Sequence, residues 1–182
     1  CDLYLSWNKE VQKNLPSSVN SAVIGFPRLP FYRYPLSELT PEKDDILAAL
    51  SLNLSQPVYT IATSFPSSKF STKNVGFNEA DGKDLGVVTI PGRESPTQWA
   101  KDELFYWEEF KKWIMGEVLK NENVQWVLKP HPAEDISLIA PFCELLGIKL
   151  MLGRPIYDLL KISDRHYTRV GCTTAVEAWL WD

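Results

Sequence analysis

From Gln125 onward the apolar and polar positions change period again and again. Gln125–Leu128 reads as a strand, its three apolar residues Trp126–Leu128 in an unbroken run as in a strand buried on both faces. Apolar residues over Ala133–Leu146 then fall at helical spacing, Ile148–Leu152 reads as a strand and Ile156–Ile162 as a helix. His166–Val170 reads as another strand, and a helix opens at Thr174. Strands alternating with helices predict βαβ crossovers and a parallel sheet covered on both faces. Upstream, Val58–Thr63 is a β-branched strand after the breaker Gln56-Pro57. Thr97–Leu119 is the longest helix, with Trp99, Leu104, Trp107, Phe110, Ile114 and Val118 at spacings near three and four. Pro41–Leu52 predicts a helix with Thr40 as its cap, Pro41 in the first turn and Glu42, Asp44 and Asp45 near its positive end. Asp2–Trp7 and Ala22–Gly25 read as short strands around a helical turn at Lys9–Leu15.

Between these elements lie two irregular stretches. Gly25–Pro35 is too rich in proline for regular structure and reads as a linker or hinge. Ser64–Pro96 is long and polar apart from Leu85–Ile90, and a loop of that length is usually functional or mobile. The expected fold class is therefore α/β, a Rossmann-like parallel sheet with helices on both faces. Residues 1–40 are expected to be the end of an N-terminal domain plus its linker, and residues 41–182 the Rossmann-like domain. Cys1 opens inside an apolar pattern and Trp179-Leu-Trp-Asp182 stops inside a helical one. The expectation is a piece of a larger protein, truncated in its last helix.

Composition narrows the field. At 182 residues, with 45% hydrophobic and 23% charged residues, a packed domain of ordinary size is expected. A net charge of −4 argues against binding nucleic acid through bulk electrostatics, though a small anion needs only a local positive site. The three cysteines show no paired metal spacing and point to a reduced, cytoplasmic setting. No apolar run approaches the roughly 20 residues of a membrane span. Most of the seven tryptophans are expected in the core or at a domain interface.

Candidate chemistry concentrates at two strand ends. Lys129-Pro130-His131-Pro132 follows the apolar run of Trp126–Leu128. Prolines cannot donate to a sheet ladder, so the strand should end there. That puts Lys129 and His131 at the carboxyl end of a strand, where open α/β sheets bind ligands. The competing reading is a turn whose histidine bonds nearby backbone. The second segment, Gly171-Cys-Thr-Thr-Ala-Val-Glu-Ala178, follows the last strand and opens the last helix. Free N–H groups at such a helix start attract phosphate, with Thr173 and Thr174 as added donors and Glu177 one turn in as a ribose acceptor. Thr174-x-x-Glu177 also fits a capping box that serves the helix alone. In a parallel sheet both segments lie on the same edge, and this agreement favours nucleotide or phosphate binding.

Other residues carry less. Asp102, Glu103, Glu108 and Glu109 read as the solvated face of the long helix. Ser64, Ser67 and Ser68 could line the crevice, while Asp164 reads as a turn residue and His166 as structural. Cys172 lacks an assigned base, and Arg28 reads as a solvated linker residue. Dinucleotide, Walker, hydrolase-elbow and zinc motifs are all missing from the sequence.

With these segments in hand, the chain resembles the C-terminal half of a GT-B glycosyltransferase of the bacterial surface and capsular polysaccharide group. Asp2…Trp7…Gly25-Phe-Pro-Arg28 is similar to the segment leaving the N-terminal domain there. Lys129-Pro-His-Pro132 is similar to the His-Pro motif of transferases that use CMP-activated sugars, including Kdo and sialic acid transferases. Asp164…Gly171-Cys-Thr-Thr-Ala-Val-Glu-Ala178 is similar to their Ser/Thr motif at the donor phosphate. The resemblance implies that His131 is catalytic, contacting the phosphate or assisting its departure. It also implies that Lys129, His131, Pro132, Gly171, Thr173, Thr174 and Glu177 bind the nucleotide. It further implies a nucleotide-activated sugar as substrate, a glycan or glycolipid acceptor, a missing N-terminal domain, no metal and no cofactor beyond the donor. A cytoplasmic location with at most peripheral contact with the inner membrane face would follow. The resemblance departs at the catalytic acid, since no Asp/Glu-Asp/Glu-Gly segment is present. Related folds that use CDP-glycerol or UDP-sugars share the short motifs, and a noncatalytic Rossmann-like module for nucleotide binding or domain pairing is the alternative from another class.

Overall fold

The structure, a computed structural model, describes residues 3–6, 8–25, 36–66, 96–169 and 172–181. Residues 26–35 of the expected linker and the apolar stretch Leu85–Ile90 of the long loop lie outside the described residues.

The first described stretch forms a small β-α-β unit. Strands β1 (Tyr4–Ser6) and β2 (Ser21–Val23) pair in parallel, Tyr4 opposite Ser21, around helix α1 (Lys9–Lys13). Asn8 caps α1, its side chain accepting from the Val11 N–H at 2.8 Å.

The second sheet holds four parallel strands in the order β5-β4-β3-β6. In chain order its elements are α2 (Lys43–Ala49), β3 (Val58–Ala62), α3 (Pro96–Lys120), β4 (Gln125–Lys129), α4 (Ile136–Leu146), β5 (Lys149–Leu150), α5 (Ile156–Lys161), β6 (Arg165–Thr168) and α6 (Thr173–Trp181). Strand alternation divides the core in two. Val58, Ala62 and Val127 pack with Ile46 of α2, Leu159 of α5 and partly buried Leu180 of α6. Ile61, Trp126 and Leu128 pack with Trp107 and Ile114 of α3 and Ile139 of α4. Neighbouring residues along β4 thus serve opposite faces, which is why its centre, Trp126–Leu128, is apolar without a break. The α/β fold class is as expected: a parallel sheet with helices on both faces.

The connections decide where a ligand can sit. The chain lays β4 and then β5 outward on one side of β3, then returns to pair β6 with the other side. That reversal puts the topological switch point at the carboxyl ends of β3 and β6, where open sheets accept ligands. Asp164 anchors this return: its carboxylate accepts the Val58 N–H at 2.7 Å and its own N–H donates to Val58 O at 2.8 Å.

Two helix starts differ from the sequence reading. Helix α2 begins at Lys43, not Pro41, and Glu42 at the cap makes no side-chain cap bond. Thr40 is instead buried and accepts a hydrogen bond from Lys161 Nζ at 3.0 Å. Helix α4 begins at Ile136, capped by Asp135, which accepts from the Ser137 N–H at 3.0 Å. Ala133 and Glu134, expected inside that helix, instead form a turn, the Ala133 N–H donating to His131 Nδ1 and the Glu134 N–H to His131 O. Among the described residues no helix is long and apolar enough to cross a membrane.

Candidate functional site

The turn after β4 is built on reciprocal hydrogen bonds. The Glu134 N–H donates to His131 O at 2.9 Å, closing a four-residue turn with Pro132 in its second position, where a fixed φ suits it. Within that turn the Ala133 N–H donates to His131 Nδ1 at 3.1 Å. Glu134 reaches back, its Oε2 accepting the His131 N–H at 2.7 Å. The first side chain serves a later N–H and the fourth serves the first N–H, which is the logic of a capping box. The sequence placed such a box at Thr174-x-x-Glu177; the structure has one at His131-x-x-Glu134.

These bonds define the histidine chemically. With Nδ1 accepting, the single proton of the neutral ring sits on Nε2, which is then a donor. Partial desolvation lowers the His131 pKa, Lys129 adds to the lowering and Glu103 opposes it. At neutral pH the exposed ring is therefore an uncharged N–H donor at the sheet edge.

Glu134 does more than clasp the turn. Its side chain is 9% exposed, and it also accepts from Thr63 Oγ1 at 2.5 Å and the Phe65 N–H at 2.6 Å. Burial raises its pKa, three hydrogen bonds pull the other way, and Glu103 adds to the rise. One carboxylate thus joins the loops leaving β3 and β4.

A second clamp comes from the end of β6. Arg169 Nη1 donates to Ser64 O at 3.0 Å and to Glu103 Oε1 at 2.8 Å, and its guanidinium lies 5.1 Å from the centre of the Phe65 ring. Glu103 is only 2% exposed, which corrects its assignment to the solvated face of α3. Its position explains this: Glu103 precedes Trp107 by four residues and shares the inner stripe with Ala100 and Ile114. Glu108 and Glu109, by contrast, are exposed and pair with Lys111 and Lys112 as expected of an outer face.

The remaining expected residues are placed as follows. Lys129 ends β4 on the Val127 side of the strand; burial lowers its pKa and Asp158 of α5 opposes the shift. It forms no ion pair with a described residue; Asp158 pairs through Oδ2 with Arg154 at 3.0 Å. Pro132 is exposed beside His131. Thr173 is exposed at the first position of α6. Thr174 lies one position inside the helix, so it is not the cap; its hydroxyl pairs with Thr168 Oγ1 at 2.8 Å and with Cys172 Sγ at 3.1 Å. Glu177 is 1% exposed, an interior carboxylate rather than one presented at the surface. Gly171 lies outside the described residues.

No known family model and no curated protein matches the chain. The site therefore rests on its own geometry. Residues from the ends of β3, β4 and β6 are tied together by Glu134 and Arg169, and sequence reasoning had singled out neither of them. The available signals were the His-x-x-Glu spacing and a glutamate inside an apolar stripe, which needs a cationic partner. Chemically, the lip presents a neutral imidazole N–H, with a lysine free of described ion pairs on the same strand and a helix start after β6, on the far side of β3. Such a set can hydrogen-bond and neutralise an anion.

Proposed function

We propose that the carboxyl edge of the four-stranded sheet binds the phosphate of a nucleotide-activated sugar. On this reading the chain is the donor-nucleotide domain of a GT-B-type glycosyltransferase for bacterial surface polysaccharide, with a CMP-linked ulosonic acid as the favoured donor. The observation that carries it is the locked His131 ring, whose Nε2–H bonds no described residue at the exposed edge. As the bond between the sugar and the phosphate oxygen breaks, negative charge builds on the departing phosphate. A preset N–H donor and a nearby ammonium from Lys129 stabilise that charge without reorganising. Thr173 and the first N–H groups of α6 supply further donors, with Gly171 and Pro132 bordering the phosphate. A ribose contact from Glu177 requires the first turns of α6 to rearrange, since that carboxylate is interior. A glycan or glycolipid hydroxyl is the acceptor, the companion N-terminal domain is the partner that carries it, and the cytoplasm or inner membrane face is the working place.

A noncatalytic nucleotide-binding module is the second reading, favoured by one feature: the carboxylates that act electrostatically on or bond to His131, Glu103 and Glu134, are both committed to hydrogen bonds. Two measurements separate the readings. Titration with CMP, CDP and UDP should show CMP binding, and failure of all three to bind removes both. Transfer of an ulosonic acid from its CMP donor, measured with the companion domain present, should occur for the transferase and not for the module.

A further inference from the structure

We propose that Glu134 is the positioning residue of this site, holding His131 in the one orientation and tautomer that turn Nε2–H outward. The ligand arm of this inference rests on the phosphate-binding reading above; the geometric arm does not. His131 is gripped at both ends of the residue. Its backbone N–H is held by Glu134 Oε2 at 2.7 Å and its C=O by the Glu134 N–H at 2.9 Å. With the backbone fixed, the Ala133 N–H stays directed at Nδ1 at 3.1 Å, which forces the ring proton onto Nε2.

The same carboxylate makes the grip rigid relative to the sheet. Glu134 Oε1 takes the Phe65 N–H at 2.6 Å while Oε2 takes Thr63 Oγ1 at 2.5 Å and the His131 N–H. Thr63 and Phe65 continue β3, which is hydrogen-bonded to β4 along its length. The His131 turn is therefore braced against the neighbouring strand, and not only against its own.

This geometry makes glutamine a sharp probe. A hydroxyl can rotate to become an acceptor, but the two backbone N–H groups on opposite oxygens of Glu134 cannot. Glutamine has one acceptor oxygen, so its amide must face one of those N–H groups donor to donor. The turn should loosen, Ala133 should leave Nδ1, and both ring tautomers should appear. Thr63→Val is the contrasting change: it removes one donor to Glu134 and leaves the His131 clasp intact.

The test is ring ¹⁵N NMR of His131 together with CMP titration, for wild type, Glu134→Gln and Thr63→Val. The expected result is a single Nε2–H tautomer in wild type and Thr63→Val. Glu134→Gln should give mixed tautomers and CMP affinity weaker by about tenfold or more, with the fold retained by circular dichroism. Unchanged tautomer and affinity in Glu134→Gln would overturn the proposal, as would an equal loss in Thr63→Val. If Glu134→Gln does not fold, mixed tautomers in the wild type overturn it without a variant. If the wild type binds no CMP, the phosphate reading falls, while the tautomers of the three proteins still decide the role of Glu134.

Discussion

The chain has two histidines, and their surroundings send them to opposite tasks. His131 sits in a turn at the sheet edge, exposed, with Nδ1 accepting a backbone N–H and Nε2 bonded to no described residue. His166 lies within β6, its Nδ1 bonded to Thr60 Oγ1 at 2.8 Å and its Nε2 buried without a partner. Burial pushes the His166 pKa down to about 4. The unfolded chain, with a histidine near 6.5, then binds more protons than the folded one between these values. His166 should leave stability untouched above pH 6.5, lower it as pH falls from about 6.5 to about 4, and add nothing further below. The loss should be on the order of 3.5 kcal/mol, from about 1.4 kcal/mol per pH unit over about 2.5 units. Chemical denaturation across that range should therefore give a shallower acid slope for His166→Asn than for wild type; parallel slopes would show that the ring protonates freely in the fold. The sequence distinguished these histidines by position, one between prolines and one at the start of a strand. It could not show what held His131, because Thr63 and Phe65 are about seventy residues away and meet Glu134 only through strand pairing.

Helices and strands were legible where apolar spacing was long and regular. Helix α3 was expected at Thr97–Leu119 and spans Pro96–Lys120, and β3 and β4 fall within a residue of their expected ends. Misreadings arose where a polar group does structural work out of sight of local pattern. Glu103 looked solvated because it is charged, yet it shares the inner stripe of α3 and pairs with Arg169 of another element. Removing the cation from such a pair strands a buried charge. Arg169→Met should cost about 3 kcal/mol, the low end for buried pairs because the arginine is partly exposed. The double change with Glu103→Gln should recover part of the loss. Urea denaturation of the three variants checks this, and a single change costing less than about 1 kcal/mol would mean that water screens the pair. At the start of α6, Thr174 stabilises through Thr168 and not as a cap. Thr174→Val should lose about 1 kcal/mol, the net value of one hydrogen bond, and Thr174→Ser should lose much less. A large loss in the serine variant would point to packing of the methyl group instead.

Over the whole molecule, parallel strands send both sequence motifs to one edge, and this much follows from alternating strands and helices alone. Strand order did not follow from the sequence. Only the pairing of β6 with β3 sets the switch point beside Ser64 and Arg169, and only the assembled sheet brings Glu134 and Arg169 onto the same three residues, Thr63, Ser64 and Phe65. The edge so formed is braced before any ligand arrives, which is what binding an anion without reorganisation requires. The central claim is that this edge binds a nucleotide phosphate through His131. Calorimetric titration of CMP into wild type, His131→Ala and His166→Ala tests it most directly. CMP should bind the wild type and His166→Ala alike and bind His131→Ala more weakly by roughly 1.5–3 kcal/mol, the value of a hydrogen bond to a charged group. Equal affinities for the two histidine variants, or no binding to the wild type, would contradict the account.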